Sequence, residues 1–119
     1  MREAVIVSTA RTPIGKAYRG AFNNTPSQTL GGHAIEHAVS RAGIDPGEVD
    51  DVIMGAALQQ GVQGSNIGRQ AALRGGLPVT VSGMSLGRFR TSPGRAETRS
   101  VAFQAPGVVV SDDPAGKDQ

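Results

Sequence analysis

An α/β fold, ordered strand-helix-strand-helix-strand, is what the sequence predicts, and three observations carry it. Residues 4–7 and 52–58 are short continuous apolar runs, as buried strands of a parallel sheet are. Between them Leu30, Ala34, Ile35, Ala38, Val39 and Ala42 recur at helical spacing. Glycine and proline separate these segments at every predicted boundary. Alternation of this kind argues for one layered sheet joined by crossover helices.

The first run, Ala4-Val5-Ile6-Val7, predicts a strand buried on both faces. Residues 8–24 then form a long glycine-punctuated connection, the kind that has a function or a neighbour to pack on. Thr25, Pro26 and Gln28 read as N-cap, first helical residue and capping-box partner. Gly43 is the natural stop of that helix. Asp45-Pro46-Gly47-Glu48 predicts a short helical turn capped by Asp45, before a second buried strand over residues 52–58. Residues 61–64 make a glycine loop. Ser65 or Asn66 caps a shorter helix through Arg74, and Gly75-Gly76 ends it. Residues 79–84 alternate apolar and small polar side chains, as a third strand does. Three strands and two helices cover one face of a sheet and leave its edges open to pairing.

The composition changes after Leu86. Residues 1–86 hold six Ile and five Leu, whereas residues 87–119 hold neither. Four Arg, four Gly, three Pro and three Ser fill much of that tail, a composition with little branched apolar surface to bury. The expected organisation is a folded unit over residues 1–86 and an unrelated basic, disordered tail over 87–119. A shift of reading frame near Leu86 would produce such a break.

Charge and composition exclude several classes. Residues 1–86 carry seven basic and six acidic groups, so they are nearly neutral. The basic excess is local, in Arg88, Arg90, Arg95 and Arg99. No aromatic platform accompanies these arginines, so a solvated tail is favoured over nucleic-acid binding. The chain of 119 residues has no cysteine, which excludes disulfides and thiolate metal sites. No run resembles a secretory leader or a membrane span, and the expected location is cytoplasmic.

Two motifs could carry chemistry. His33-Ala34-Ile35-Glu36-His37 matches H-x-x-E-H, in which two histidines on one helix face can reach a metal. The apolar stripe lies opposite these residues, so they read as a polar solvent-facing surface, and no metal site or cofactor is assigned. Residues 61–68 enter a helix through a glycine-rich loop that could hold an anion. They fit neither the dinucleotide fingerprint nor the P-loop spacing, which makes them a structural loop.

Taken together, the residues resemble a known family. Ala4-Val5-Ile6-Val7-Ser8-Thr9-Ala10-Arg11-Thr12-Pro13-Ile14-Gly15, then Gly20-Ala21-Phe22 and Leu30-Gly31, are similar to the opening strand, loop and helix of a thiolase. Val49-Asp50-Asp51-Val52-Ile53-Met54-Gly55 resembles that family's second strand. Gly64-Ser65-Asn66-Ile67-Gly68-Arg69-Gln70-Ala71-Ala72-Leu73 and Gly76-Leu77-Pro78 resemble its next helix and turn. Residues 79–86 resemble the strand that leads to the nucleophile. The resemblance implies part of the thiolase layered fold and descent from acyl-CoA C-acetyltransferases of fatty acid metabolism. In these enzymes a cysteine attacks a thioester to form an acyl-enzyme. Histidines and a second cysteine later in the chain activate it and move the α-proton. Splitting the transfer in two lowers each barrier, and oxyanion donors supply a further large contribution.

The resemblance also marks what this sequence lacks. The family's nucleophile lies in a segment of the type Arg-Gln-Cys-Ser-Ser-Gly. Here Arg88-Phe89-Arg90-Thr91-Ser92-Pro93-Gly94 stands in its place, with Arg90 where the cysteine belongs. Pro93 follows where a helix should carry that residue, at a cost of about 3 kcal/mol or more in a helix interior. Ser82, Ser85 and Ser92 have no identifiable base to activate them. No catalytic or cofactor-binding residue is therefore assigned. The expected partners are acyl-CoA by resemblance alone, and a thiolase-like protein or a second copy at an open sheet edge.

Overall fold

A computed structural model describes residues 5–16, 18–56 and 59–87. Helix α1 (Ser27–Ala42) and strand β1 (Asp51–Ala56) are followed by helix α2 (Ile67–Arg74) and strand β2 (Ser82–Gly87). β1 and β2 pair in parallel, with Asp51 opposite Ser82 and Ala56 opposite Gly87. The α/β alternation expected from the sequence is present from α1 onward.

The predicted stripe of α1 is its buried face. Ala34, Ile35, Ala38 and Val39 are buried, and Leu30 and Ala42 at its ends are half-buried. Gly43 ends α1 at φ 70°, where a residue with a Cβ would be strained, and its amide donates to Ser40 O. A single 3-10 turn, Pro46–Glu48, follows, with the Asp45 side chain accepting from the Gly47 amide. Val52, Met54 and Ala56 point from β1 into the same core as Ile35 and Val39, and Ile67, Ala71 and Ala72 enter it from α2.

Four details differ from the sequence expectations. Residues 5–7 form no strand: Val5, Ile6 and Val7 are 65, 87 and 57% exposed. A run apolar on both sides needs neighbours on both sides, and among the described residues none pairs with it. Ser8 beside it carries a buried hydroxyl without a hydrogen-bond partner among the described residues. The segment is tied to the body a residue later, where Arg41 Nη1 donates to Thr9 O at 2.8 Å and Ala10 is buried.

The capping box does not form. Pro26 itself holds the N-cap position of α1, without a side-chain cap. Gln28, whose side-chain oxygen would have accepted an amide in the box, is held in the other direction by its Nε2, which donates to Val62 O and to Gln70 Oε1. Third, β1 is buried on one face only: Ile53 and Gly55 point away from the helices and are exposed. The last strand is also displaced. It runs over Ser82–Gly87 rather than 79–84, because the Val81 amide donates back to Pro78 O and closes a turn through residues 79–80.

Among the described residues no helix is long and apolar enough to cross a membrane.

Candidate functional site

The resemblance drawn from the sequence puts the family's nucleophile segment just after β2, so the contacts that fix β2 define the candidate site. α2 lies directly against β2. A Cβ on Gly68 would sit 2.4 Å from Met84 O, and a Cβ on Gly83 would sit 2.7 Å from Arg69 Cα. Only hydrogen at both positions allows this approach of helix to strand.

Asn66 is the hub of the junction. Its Oδ1 accepts from the Arg69 amide at 3.2 Å, which makes it the N-cap of α2, and also from Ser85 Oγ at 2.9 Å. Its Nδ2 donates to Gly83 O at 2.6 Å. Ser85 Oγ in turn accepts from the Gly68 amide at 2.8 Å. One asparagine thus links the helix start to two residues of β2, which fixes both in one register.

Arg69 holds the turn that feeds β2. Its guanidinium donates to Val81 O and, at 2.8 Å, to Val79 O. The planar guanidinium presents its N–H groups to the two carbonyls in a fixed geometry, which the flexible ammonium of a lysine does not. Nothing in the sequence signals this role, since both acceptors are backbone atoms. Gln70 Nε2 similarly donates to Gly64 O and folds the glycine loop back on α2.

These contacts decide what residues 61–68 do. The Gly68 and Arg69 amides, which an anion at the helix start would need, already serve Ser85 and Asn66. The loop is a structural connector in this arrangement. Ser82 is exposed, and the hydroxyl of half-buried Ser85 is held by an amide and an amide side chain, neither of which is a base. Arg88, Arg90, Ser92 and Pro93 lie outside the described residues.

His33, Glu36 and His37 are all exposed on α1, as the helical spacing implied. The two imidazole rings lie 4.3 Å apart, centre to centre. His33 also borders a cleft of about 220 Å³ between α1 and the long connection, which Thr12, Phe22 and Thr29 line as well.

A parallel pair of strands joined through a helix, with both helices in one core, defines an α/β protein whose last described strand leads into the segment of interest. Comparison with known proteins specifies it further. The description "Thiolase, N-terminal domain" matches residues 4–105. The chain is 36% identical over 110 residues to the 3-ketoacyl-CoA thiolase of Bacillus subtilis (strain 168), covering 92% of this chain and 27% of that protein. It is 43% identical over 88 residues to a probable acetyl-CoA acyltransferase of Staphylococcus aureus (strain NCTC 8325 / PS 47), covering 74% and 22%. The crystal structure of the Bacillus anthracis acetyl-CoA acetyltransferase superposes with a TM-score of 0.67 at 39% identity, over 74% of this chain and 22% of that one.

This chain belongs to the thiolase family. It spans about a quarter of the length of these relatives. The family match runs past Leu86 and Arg90 to residue 105, further than the motifs in the sequence had carried the resemblance.

Proposed function

We propose that this chain descends from acyl-CoA acyltransferases but performs no acyl transfer by itself. The observation that carries the reading is the absence of any cysteine, with Arg90 where the family's resemblance places the nucleophile. A guanidinium stays protonated in proteins and cannot form the acyl-enzyme that the two-step transfer requires. Neither serine of β2 supports a substitute: Ser82 opens the strand and is exposed, and the Ser85 hydroxyl is engaged by Asn66 and Gly68. The cytoplasm and fatty acid metabolism are the setting that the family suggests.

The test is direct. The purified chain is incubated with acetoacetyl-CoA and coenzyme A, and separately with labelled acetyl-CoA. Thioester turnover is expected to equal the rate without protein, and the intact mass is expected to be unchanged. A covalent acyl adduct would sink the proposal.

A second reading rests on the sheet. Ile53 and Met84 lie opposite each other in the register, Leu86 pairs with Gly55 on the same face, and all three large side chains are exposed. Two strands with an apolar outer face resemble part of a larger sheet, and strand edges recruit further strands. On this reading the chain acts as a non-catalytic fragment that pairs with a full-length thiolase-like protein. Co-elution with such a homologue in size-exclusion chromatography is expected, and separate peaks at micromolar concentrations would count against it.

A further inference from the structure

The histidine pair on α1 has no part in the acyl-transfer reading, yet its geometry is specific. We propose that His33 and His37 form a two-imidazole chelate for a borderline divalent transition-metal ion, Cu²⁺ foremost. The two residues stand one helical turn apart, at i and i+4, and the ring centres are 4.3 Å apart. Histidines at this spacing on one helix face converge on a common ion. Both rings are exposed, so an ion reaches them without any rearrangement of the core.

The support beneath them is firm. α1 extends from Ser27 to Ala42, so neither histidine lies in a fraying end turn. The opposite face is anchored by Ala34, Ile35, Ala38 and Val39 in the core. The pair is therefore presented with its spacing already set, which lowers the ordering cost of binding.

The number of ligands defines the kind of site. Among the described residues no group of three or more His, Cys, Asp or Glu side chains is placed to hold a metal. Water must complete the coordination, so the ion exchanges readily and Glu36 is not required. Such a site is distinct from the three-ligand zinc centre that H-x-x-E-H denotes in proteases. Two imidazole donors favour Cu²⁺ over Ni²⁺ and Zn²⁺ by the general order of divalent affinities. Mg²⁺ and Ca²⁺ prefer oxygen ligands and should not bind here.

The experiment uses the full chain without a histidine tag. CuCl₂, ZnCl₂ and MgCl₂ are titrated in turn by calorimetry, and each is also added in thermal unfolding followed by circular dichroism. One equivalent of Cu²⁺ is expected to bind and to raise the unfolding midpoint, Zn²⁺ to do so more weakly, and Mg²⁺ not at all. His33→Gln and His37→Gln should each lose about a hundredfold in Cu²⁺ affinity, as a chelate does when one of its two linked contacts is removed. Their unfolding without metal should match the parent, while Glu36→Gln should bind as the parent does. The proposal is overturned if the parent takes up no Cu²⁺, if either single-histidine variant binds as tightly as the parent, or if Glu36→Gln abolishes uptake.

Discussion

Gly68→Ala is expected to remove cooperative folding. The added methyl would lie 2.4 Å from Met84 O and 2.9 Å from Met84 C. Both are backbone atoms of a paired strand, so no side chain can turn aside to relieve the contact. α2 must then lift from β2, which breaks the Gly68–Ser85 bond and disturbs Asn66. Overpacking of this kind costs about 1–3 kcal/mol, and more where the backbone itself must move. A unit of this size rarely has more than about 3–5 kcal/mol to lose. Urea unfolding followed by circular dichroism should show the parent's transition shortened or gone. Gly55→Ala is the control: it faces open space on the outer side of β1 and should stay within about 0.5 kcal/mol of the parent. Equal midpoints for the two variants would refute the close approach of α2 to β2.

Ile35→Ala should have the next largest effect. Ile35 is fully buried on α1 and shares its core with Val52 and Met54 of β1 and Ile67 of α2. Its Cγ2 also comes within 3.0 Å of the place a Cβ on Gly75 would occupy, so it sits against the end of α2 as well. One side chain thus joins three of the four regular elements. Removing a side chain of this size from such a site costs about 2–5 kcal/mol, the transfer loss plus the cavity. The same truncation at Leu73, which is 44% exposed, should cost less than about 1 kcal/mol. The comparison is read from unfolding midpoints at constant slope. A loss at Leu73 equal to that at Ile35 would mean the core is elsewhere.

What the sequence made legible was what nearest neighbours decide. Gly43 as a helix stop, Asp45 as the cap of a short turn, and a cap of α2 at Ser65 or Asn66, which the structure resolves to Asn66, each act over at most three residues. The spacing of Ile35, Ala38 and Val39 likewise fixed the buried face of α1. Contacts between distant residues were not legible. Gln28 fits a capping box locally, but Gln70, 42 residues away, takes its amide. Val79-Thr80-Val81 alternates like a strand, yet a turn after Pro78 and the Arg69 fork hold it outside the sheet.

The apolar run at residues 4–7 shows the same limit differently. Its composition signals a strand, but a strand exists only beside a partner, and Val5, Ile6 and Val7 are exposed here. For the candidate site, the family was legible from its motifs. The bonding around Ser85 was not, because it needs the fold to bring residues 66, 68 and 85 together.

The junction of α2 and β2 also sets the order in which this polypeptide can mature on the ribosome. Asn66 and Gly68 depend on Gly83 and Ser85, 17 to 19 residues further along. At typical elongation speeds that interval lasts on the order of a second. Until it passes, α1, β1 and α2 share a core through Ile35, Val52, Met54 and Ile67, but no strand yet lies against the start of α2. The last residues of β2 to be synthesised therefore act as the fastener of this junction, and an interruption of translation just before them would leave Asn66 and Gly68 without their strand partners.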